Sequence, residues 1–183
     1  FLAEYRLFGL QPAGYIFVNL LIHAFNAFMV YMLVHMLFPN IRMAILAGVL
    51  FAFGVGSYGR ILMSVQQLEA LTLASLHLLV LYFFIRNDFR QEGRIWSPLF
   101  LAGVFLFLLT GLTKAASFSL VLTLIAYKAF FFKWRKGRAI LSADLLVFVA
   151  VGILFHLGQA QWGFRQPTVF DVTETSSHFS LMS

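Results

Sequence analysis

Long apolar stretches alternate with short polar connections along most of this chain. A helix needs about 20 mostly apolar residues to cross the roughly 30 Å hydrocarbon layer of a bilayer. Six stretches approach that length: about Ala13–Phe38, Ile41–Gly56, Gln67–Ile85, Trp96–Leu112, Ala115–Phe132 and Ala139–Gln159. The pattern predicts an all-α, polytopic membrane helix bundle with about six transmembrane helices and short loops. It would occupy residues 1–160, and residues 161–183 would form a polar extracytoplasmic tail or the start of a further loop.

Composition strengthens this prediction. Of the 183 residues, 61% are hydrophobic and only 11% are charged, against roughly 25% charged in a typical soluble domain. So few charged residues cannot cover a soluble surface of this size, which excludes a soluble globular domain, a disordered chain and a nucleic-acid module. The chain has no cysteine, and therefore no disulfide framework, thiolate nucleophile or cysteine-based metal site.

The basic residues orient the bundle. If the connections at Pro39, Arg86–Arg94 and Lys133–Arg138 share one side, nine cations lie there and four on the other. The nine are Arg42, Arg86, Arg90, Arg94, Lys128, Lys133, Arg135, Lys136 and Arg138, and the four are Arg6, Arg60, Lys114 and Arg165. The positive-inside rule makes the richer side cytoplasmic and both chain ends extracytoplasmic. We therefore expect a multi-pass integral protein of a bacterial inner or plasma membrane.

The net charge of +6 follows from this topology and from attraction to anionic membrane lipids, without a nucleic-acid partner. The Arg86–Arg94 segment, with charges of both signs, is expected to be a solvated connection. The chain begins at Phe1 without an initiator Met or a signal-peptide pattern. We expect it to be part of a longer polypeptide.

Polar residues inside the first predicted span share one face of the helix. Asn19, His23 and Asn26 follow at i, i+4 and i+7, so that face is expected to look into the bundle, away from lipid. Two interpretations remain open. The three side chains either form interhelical hydrogen bonds that fix packing, which we favour, or line a substrate cavity.

Three charged residues are predicted at the outer end. Glu69 would lie in the first turn of the third span, where a carboxylate suits the helix dipole, either as a cap or as a functional group. Lys114 occupies the corner before the fifth span, where a cation is unfavourable unless an anion is near. That anion could be a phosphate or Glu69, whereas simple snorkelling to the interface is the alternative. Arg60 could join the same anion site.

The remaining candidates have structural interpretations. Asp144, after Ser142, is expected to support the start of the sixth span. His35, His77 and His156 lie on separate spans with no carboxylate at ligand spacing, so no metal site is expected. No nucleotide-binding, zinc-protease or serine-hydrolase motif occurs, and no cofactor is evident.

Three segments resemble the GT-C class of membrane glycosyltransferases, in its protein O-mannosyltransferase-like and TPR-bearing branch. They are Leu7–Tyr15 with Val18–Ala24, Leu50–Phe53, and Leu109–Lys114. The chain departs from that branch at Ile16 and at Gly54-Val55, where a histidine and His-Pro are common. It also has Ala115 where an acid usually follows the corner lysine. The catalytic Asp of the family belongs to an outer loop that would precede Phe1, so this chain offers no catalytic residue to name.

The resemblance implies transfer of a sugar from a polyprenyl-phosphate donor to an acceptor on the outer face. A carboxylate would act as general base, and cations would hold the lipid phosphate. Lys114 matches the corner lysine and is the best candidate for that contact. Two other classes stay open. One is a non-catalytic subunit that docks with other membrane protein subunits, and the other is a transporter fragment.

Overall fold

A computed structural model describes residues 2–9, 11–54, 68–91, 95–113, 117–132 and 142–161. These residues form helices and their short connections, without a strand, so the all-α prediction is confirmed. The helices are α1 Leu2–Phe8, α2 Pro12–Leu37, α3 Ile41–Phe53, α4 Leu68–Gln91, α5 Pro98–Thr113, α6 Ser117–Phe132 and α7 Ala143–Gln161. Helices α2 to α7 correspond to the six predicted stretches, and α1 is an additional short helix.

Two of these helices are long and apolar enough to cross a membrane: α2 and residues Leu68–Arg90 of α4. The apolar parts of α3, α5, α6 and α7 are shorter, at 10–17 residues. A bundle of six spans is therefore not established by helix length alone.

Local signals in the sequence set several helix boundaries. Gly9 has a φ of 57° and turns the chain between α1 and α2, where its carbonyl accepts a hydrogen bond from the Tyr15 hydroxyl at 2.8 Å. Pro12 opens α2, where its missing N–H costs nothing. Asn40 caps α3, because its Oδ1 accepts from the Arg42 amide at 3.0 Å.

Helix α4 continues beyond its predicted end at Ile85 and stops at Gln91. The prediction that Arg86–Arg94 is a solvated connection is therefore wrong for residues 86–91, which are helical. Asn87 and Asp88 are buried, at 0% and 7% exposure, and both have partners on other elements. Those contacts extend the helix through residues whose composition is typical of a loop.

Helix direction follows from cross-helix contacts. His23 meets the Ala52 carbonyl, and a side chain at Gly48 would lie 3.1 Å from the Tyr31 Cβ, so α2 and α3 are antiparallel. Asn26 bonds to Ser75 near the start of α4. The C-terminal ends of α2 and α4 meet through α6, because Phe38 contacts Phe131 and Tyr127 contacts Phe84. Helices α2 and α4 therefore run in the same direction.

A cluster of aromatic rings holds the second half of the bundle together. Phe148 of α7 is 1% exposed and packs edge-on against Phe84 of α4 and against Phe100 and Phe107 of α5. Edge-to-face pairs of this kind add about 0.5–1.5 kcal/mol each beyond area burial. The rings therefore tie α4, α5 and α7 into one apolar core.

Candidate functional site

The polar stripe on α2 lies in the interior, as its spacing predicts. Asn19, His23 and Asn26 are 1%, 6% and 0% exposed. The Asn26 amide donates to the Leu71 carbonyl at 3.1 Å and accepts from the Ser75 hydroxyl at 2.6 Å. These bonds join α2 to α4.

His23 extends the same stripe towards α3. Its Nε2 lies 3.2 Å from the Ala52 carbonyl oxygen, and its ring stacks on Phe51 with centroids 5.3 Å apart. The stripe thus contacts helices on both sides of α2. These contacts are those of interhelical packing, the first of the two interpretations, while a cavity-lining role for the stripe stays a prediction.

The outer-end candidates are only partly described. Glu69 is exposed and lies in the first turn of α4, as expected for a carboxylate that complements the helix dipole. Lys114 and Arg60 lie outside the described residues. A shared anion site of Glu69, Lys114 and Arg60 therefore stays a prediction.

A buried ionic cluster, which we call the ionic triad, is formed by Asp88 of α4, Lys128 of α6 and Asp144 of α7. The Lys128 ammonium lies 2.9 Å from Asp88 Oδ1 and 3.3 Å from Asp144 Oδ2. The three residues are 7%, 6% and 0% exposed. Charges this deeply buried are stable only when paired, so the triad fixes the relative positions of three helix ends.

Neighbouring side chains complete the triad. The Tyr127 hydroxyl donates to Asp88 Oδ2 at 3.0 Å, so both oxygens of that carboxylate are bonded. The ring of Phe84 lies 5.1 Å from the Lys128 ammonium and faces it in a cation–π contact. Asp144, as the second residue of α7, lies beside the positive end of that helix dipole.

These positions add detail to two expectations from the sequence. Lys128 was counted among the cations of the predicted cytoplasmic side, and the structure shows that it is buried and paired with two carboxylates. Asp144 lies in the first turn of α7, as expected, but its carboxylate also faces Lys128, and neither oxygen makes a capping hydrogen bond within the described residues.

A second polar contact lies at the same end of the bundle. Ser97 donates a hydrogen bond to the Asn87 side-chain oxygen and accepts one from the Phe100 amide at 3.0 Å. Ser97 thereby caps α5 and fixes it to the end of α4. This contact and the ionic triad bring α4, α5, α6 and α7 together at the end that the sequence predicts to be cytoplasmic.

The histidines are dispersed, as the sequence predicts. His35 and His156 are exposed, while His77 bonds to the Leu73 carbonyl of its own helix at 2.9 Å and lies 3.5 Å from the Ser119 hydroxyl. No group of three or more His, Cys, Asp or Glu that could hold a metal occurs among the described residues.

Sequence reasoning missed the ionic triad, although one signal was available. Lys128 stands within the run Ala126–Phe132, four residues before the end of an apolar helix. An intramembrane ionisable residue calls for a named partner, and Asp88 and Asp144 belong to helix ends predicted on the same side.

No protein-family model matches this chain, and neither a curated protein nor a solved structure does.

Proposed function

We propose that the chain is a multi-pass integral membrane protein in which α2 to α7 each cross the bilayer. The observation that carries this proposal is the distribution of polarity. Phe17, Phe53, Phe105 and Phe130 are 59%, 78%, 61% and 76% exposed, while Asn26 and other polar groups are buried. An apolar exterior with the polar groups buried inside suits lipid, because unsatisfied polar groups are costly in hydrocarbon.

The direction of the helices supports more than two spans. Helices α2 and α4 are the clearest spans and run parallel, so the chain must cross back between them. Helix α3 is antiparallel to α2 and occupies that part of the chain. Its 13 residues measure about 20 Å, and a short span of this kind is accommodated by local thinning of the bilayer.

For activity, we propose the membrane core of a glycosyltransferase that uses a polyprenyl-phosphate sugar donor. The support is the resemblance of Leu7–Ala24 and Leu109–Lys114 to GT-C enzymes. Within the first of these segments, Pro12 opens the long apolar helix α2, which is where that motif is expected to begin a span. Lys114, three residues before the start of α6, would contact the donor phosphate.

The test is sugar transfer by the full-length protein, reconstituted in vesicles. The donor is a lipid extract from labelled cells, in which the polyprenyl-phosphate sugars are radioactive, and the readout is label lost from the lipid fraction. Lys114→Ala is expected to abolish transfer while the protein remains inserted and folded. Lys133→Ala, on the predicted cytoplasmic side, is the matched control and should transfer normally. Normal transfer by Lys114→Ala would refute the role of this lysine.

A non-catalytic docking subunit is the second candidate, and one observation favours it. Of the three carboxylate side chains that the structure describes, Asp88 and Asp144 are held in the ionic triad and only Glu69 is exposed. Two of the three are thus unsuited to act as a general base. A docking subunit predicts stable co-purification with other membrane proteins and no sugar transfer by the wild-type chain.

A further inference from the structure

The C-terminal end of α4 carries a stripe of one tyrosine and two arginines. Tyr82, Arg86 and Arg90 follow at i, i+4 and i+8, which places them on one face of the helix. Arg86 donates a hydrogen bond to the Tyr82 hydroxyl, and its guanidinium lies 5.4 Å from the centroid of the Tyr82 ring. Tyr82 thereby orients Arg86, while Arg90 is exposed.

The acidic residue nearest in sequence among those described cannot neutralise this stripe. Asp88 is two residues from each arginine, about 200° around the helix from them. Its two oxygens are bonded to Lys128 and to the Tyr127 hydroxyl. The ionic triad therefore turns the carboxylate inward, and no ion pair joins either arginine to a described carboxylate.

An exposed tryptophan lies at the same end of the bundle. Trp96, in the turn between α4 and α5, is 83% exposed. An indole at the end of a membrane helix settles at the level of the lipid headgroups. The two arginines lie in the last six residues of α4, shortly before this turn in the sequence, and are then also at headgroup level.

We propose that Arg86, Arg90 and Trp96 form a binding site for the headgroup of an anionic phospholipid. Guanidinium groups match a phosphate through paired hydrogen bonds, and Tyr82 holds one of them in place before the lipid arrives. This inference rests on the membrane topology proposed above, but it does not depend on sugar transfer.

The test is lipid binding to the purified full-length protein in detergent, measured by native mass spectrometry. The probes are dioleoyl-phosphatidylglycerol and dioleoyl-phosphatidylcholine. The wild-type protein is expected to bind phosphatidylglycerol more tightly. The double variant Arg86→Gln/Arg90→Gln should weaken that binding by about 25-fold, because each basic residue near an anionic surface contributes roughly fivefold.

Two further variants separate charge from folding. Arg86→Lys/Arg90→Lys keeps the charges but loses the paired hydrogen bonds, so it should bind phosphatidylglycerol more weakly than the wild type and more tightly than the glutamine variant. Arg6→Gln removes an exposed cation of α1, on the side predicted to be opposite, and should bind as the wild type does. The proposal is overturned if the wild type binds both lipids equally. It is also overturned if the glutamine variant keeps its affinity, or if the lysine variant loses as much as the glutamine variant.

Failure of the lipid-binding proposal can be distinguished from failure of the glycosyltransferase proposal and of the membrane topology. If the wild-type protein prefers phosphatidylglycerol but transfers no sugar, the result counts against the glycosyltransferase proposal alone. Extraction of the protein from membranes by alkaline carbonate would instead refute the integral topology, on which both proposals rest.

Discussion

At the scale of single residues, Lys128 carries a buried charge that depends on its ion-pair partners. Its ammonium lies between two carboxylates on different helices, with both carboxylates at least nine-tenths buried. Removal of one member of such a group leaves unpaired charge in the interior, whereas removal of every charge leaves none. The triad is therefore expected to be far more sensitive to single than to complete neutralisation.

We predict that Lys128→Met destabilises the protein by about 3–5 kcal/mol, the range for breaking a buried ion pair. The triple variant Asp88→Asn/Lys128→Met/Asp144→Asn should recover most of that loss, because no buried charge then remains. The measurement is thermal unfolding in a mild detergent. Arg42→Met, which removes an exposed cation, is the control. A triple variant no more stable than Lys128→Met would contradict the argument.

Residue spacing found part of the interior but not the triad. Asn19, His23 and Asn26 belong to one helix, so the helical period was enough to place them on one face. Asp88, Lys128 and Asp144 belong to three helices, and no period within a helix indicates which of its neighbours it meets. Such partners become visible only when the helices are packed.

At the scale of helices, apolar length located six of the seven described elements, and boundary errors have local causes. The start of α3 was predicted at Ile41 because Pro39-Asn40 is a strong helix-boundary signal. Asn40 caps the helix there. The end of α4 was predicted too early because Arg86, Asn87 and Asp88 have the composition of a loop. Tertiary contacts at Asn87 and Asp88 outweigh that local signal. Helix α1 was missed because seven residues are too few to establish a period.

Close helix approach gives a prediction at this scale. A side chain at Gly48 of α3 would lie 3.1 Å from the Tyr31 Cβ and 3.3 Å from the Ala27 carbonyl oxygen of α2. These neighbours cannot rotate away, so Gly48→Ala requires α3 to shift and is expected to lower the thermal stability. Gly48→Leu should lower it further.

Gly103 of α5 provides the matched comparison. A Cβ there would lie 3.5 Å from Phe148 and Phe83, which is ordinary contact. Gly103→Ala should therefore be neutral, or stabilise the helix by up to about 1 kcal/mol through its higher helix propensity. Equal losses for Gly48→Ala and Gly103→Ala in the same unfolding assay would show that contact with α2 does not limit residue size at Gly48.

At the scale of the whole molecule, the number of spans depends on direction as well as on length. By length and composition, two helices, α2 and α4, are long and apolar enough to cross a membrane. If only those two crossed, they would have to run in opposite directions through the membrane. If both helices cross, their parallel arrangement requires a further crossing between them, and we propose that α3 is that crossing. The chain also lacks cysteine, so single cysteines can report which side each connection faces.

We predict that Pro39→Cys and Ser57→Cys lie on opposite sides of the membrane. With six spans, Ser57→Cys reacts with an impermeant maleimide in intact cells, whereas Pro39→Cys reacts only after permeabilisation. If only α2 and α4 crossed, both cysteines would lie in one connection and would react alike. Gly137→Cys, in the basic connection before α7, should behave as Pro39→Cys does, because the positive-inside rule places both on the cytoplasmic side. Labelling of Gly137→Cys in intact cells would reverse that orientation and would move the Arg86–Arg90 stripe to the outer leaflet.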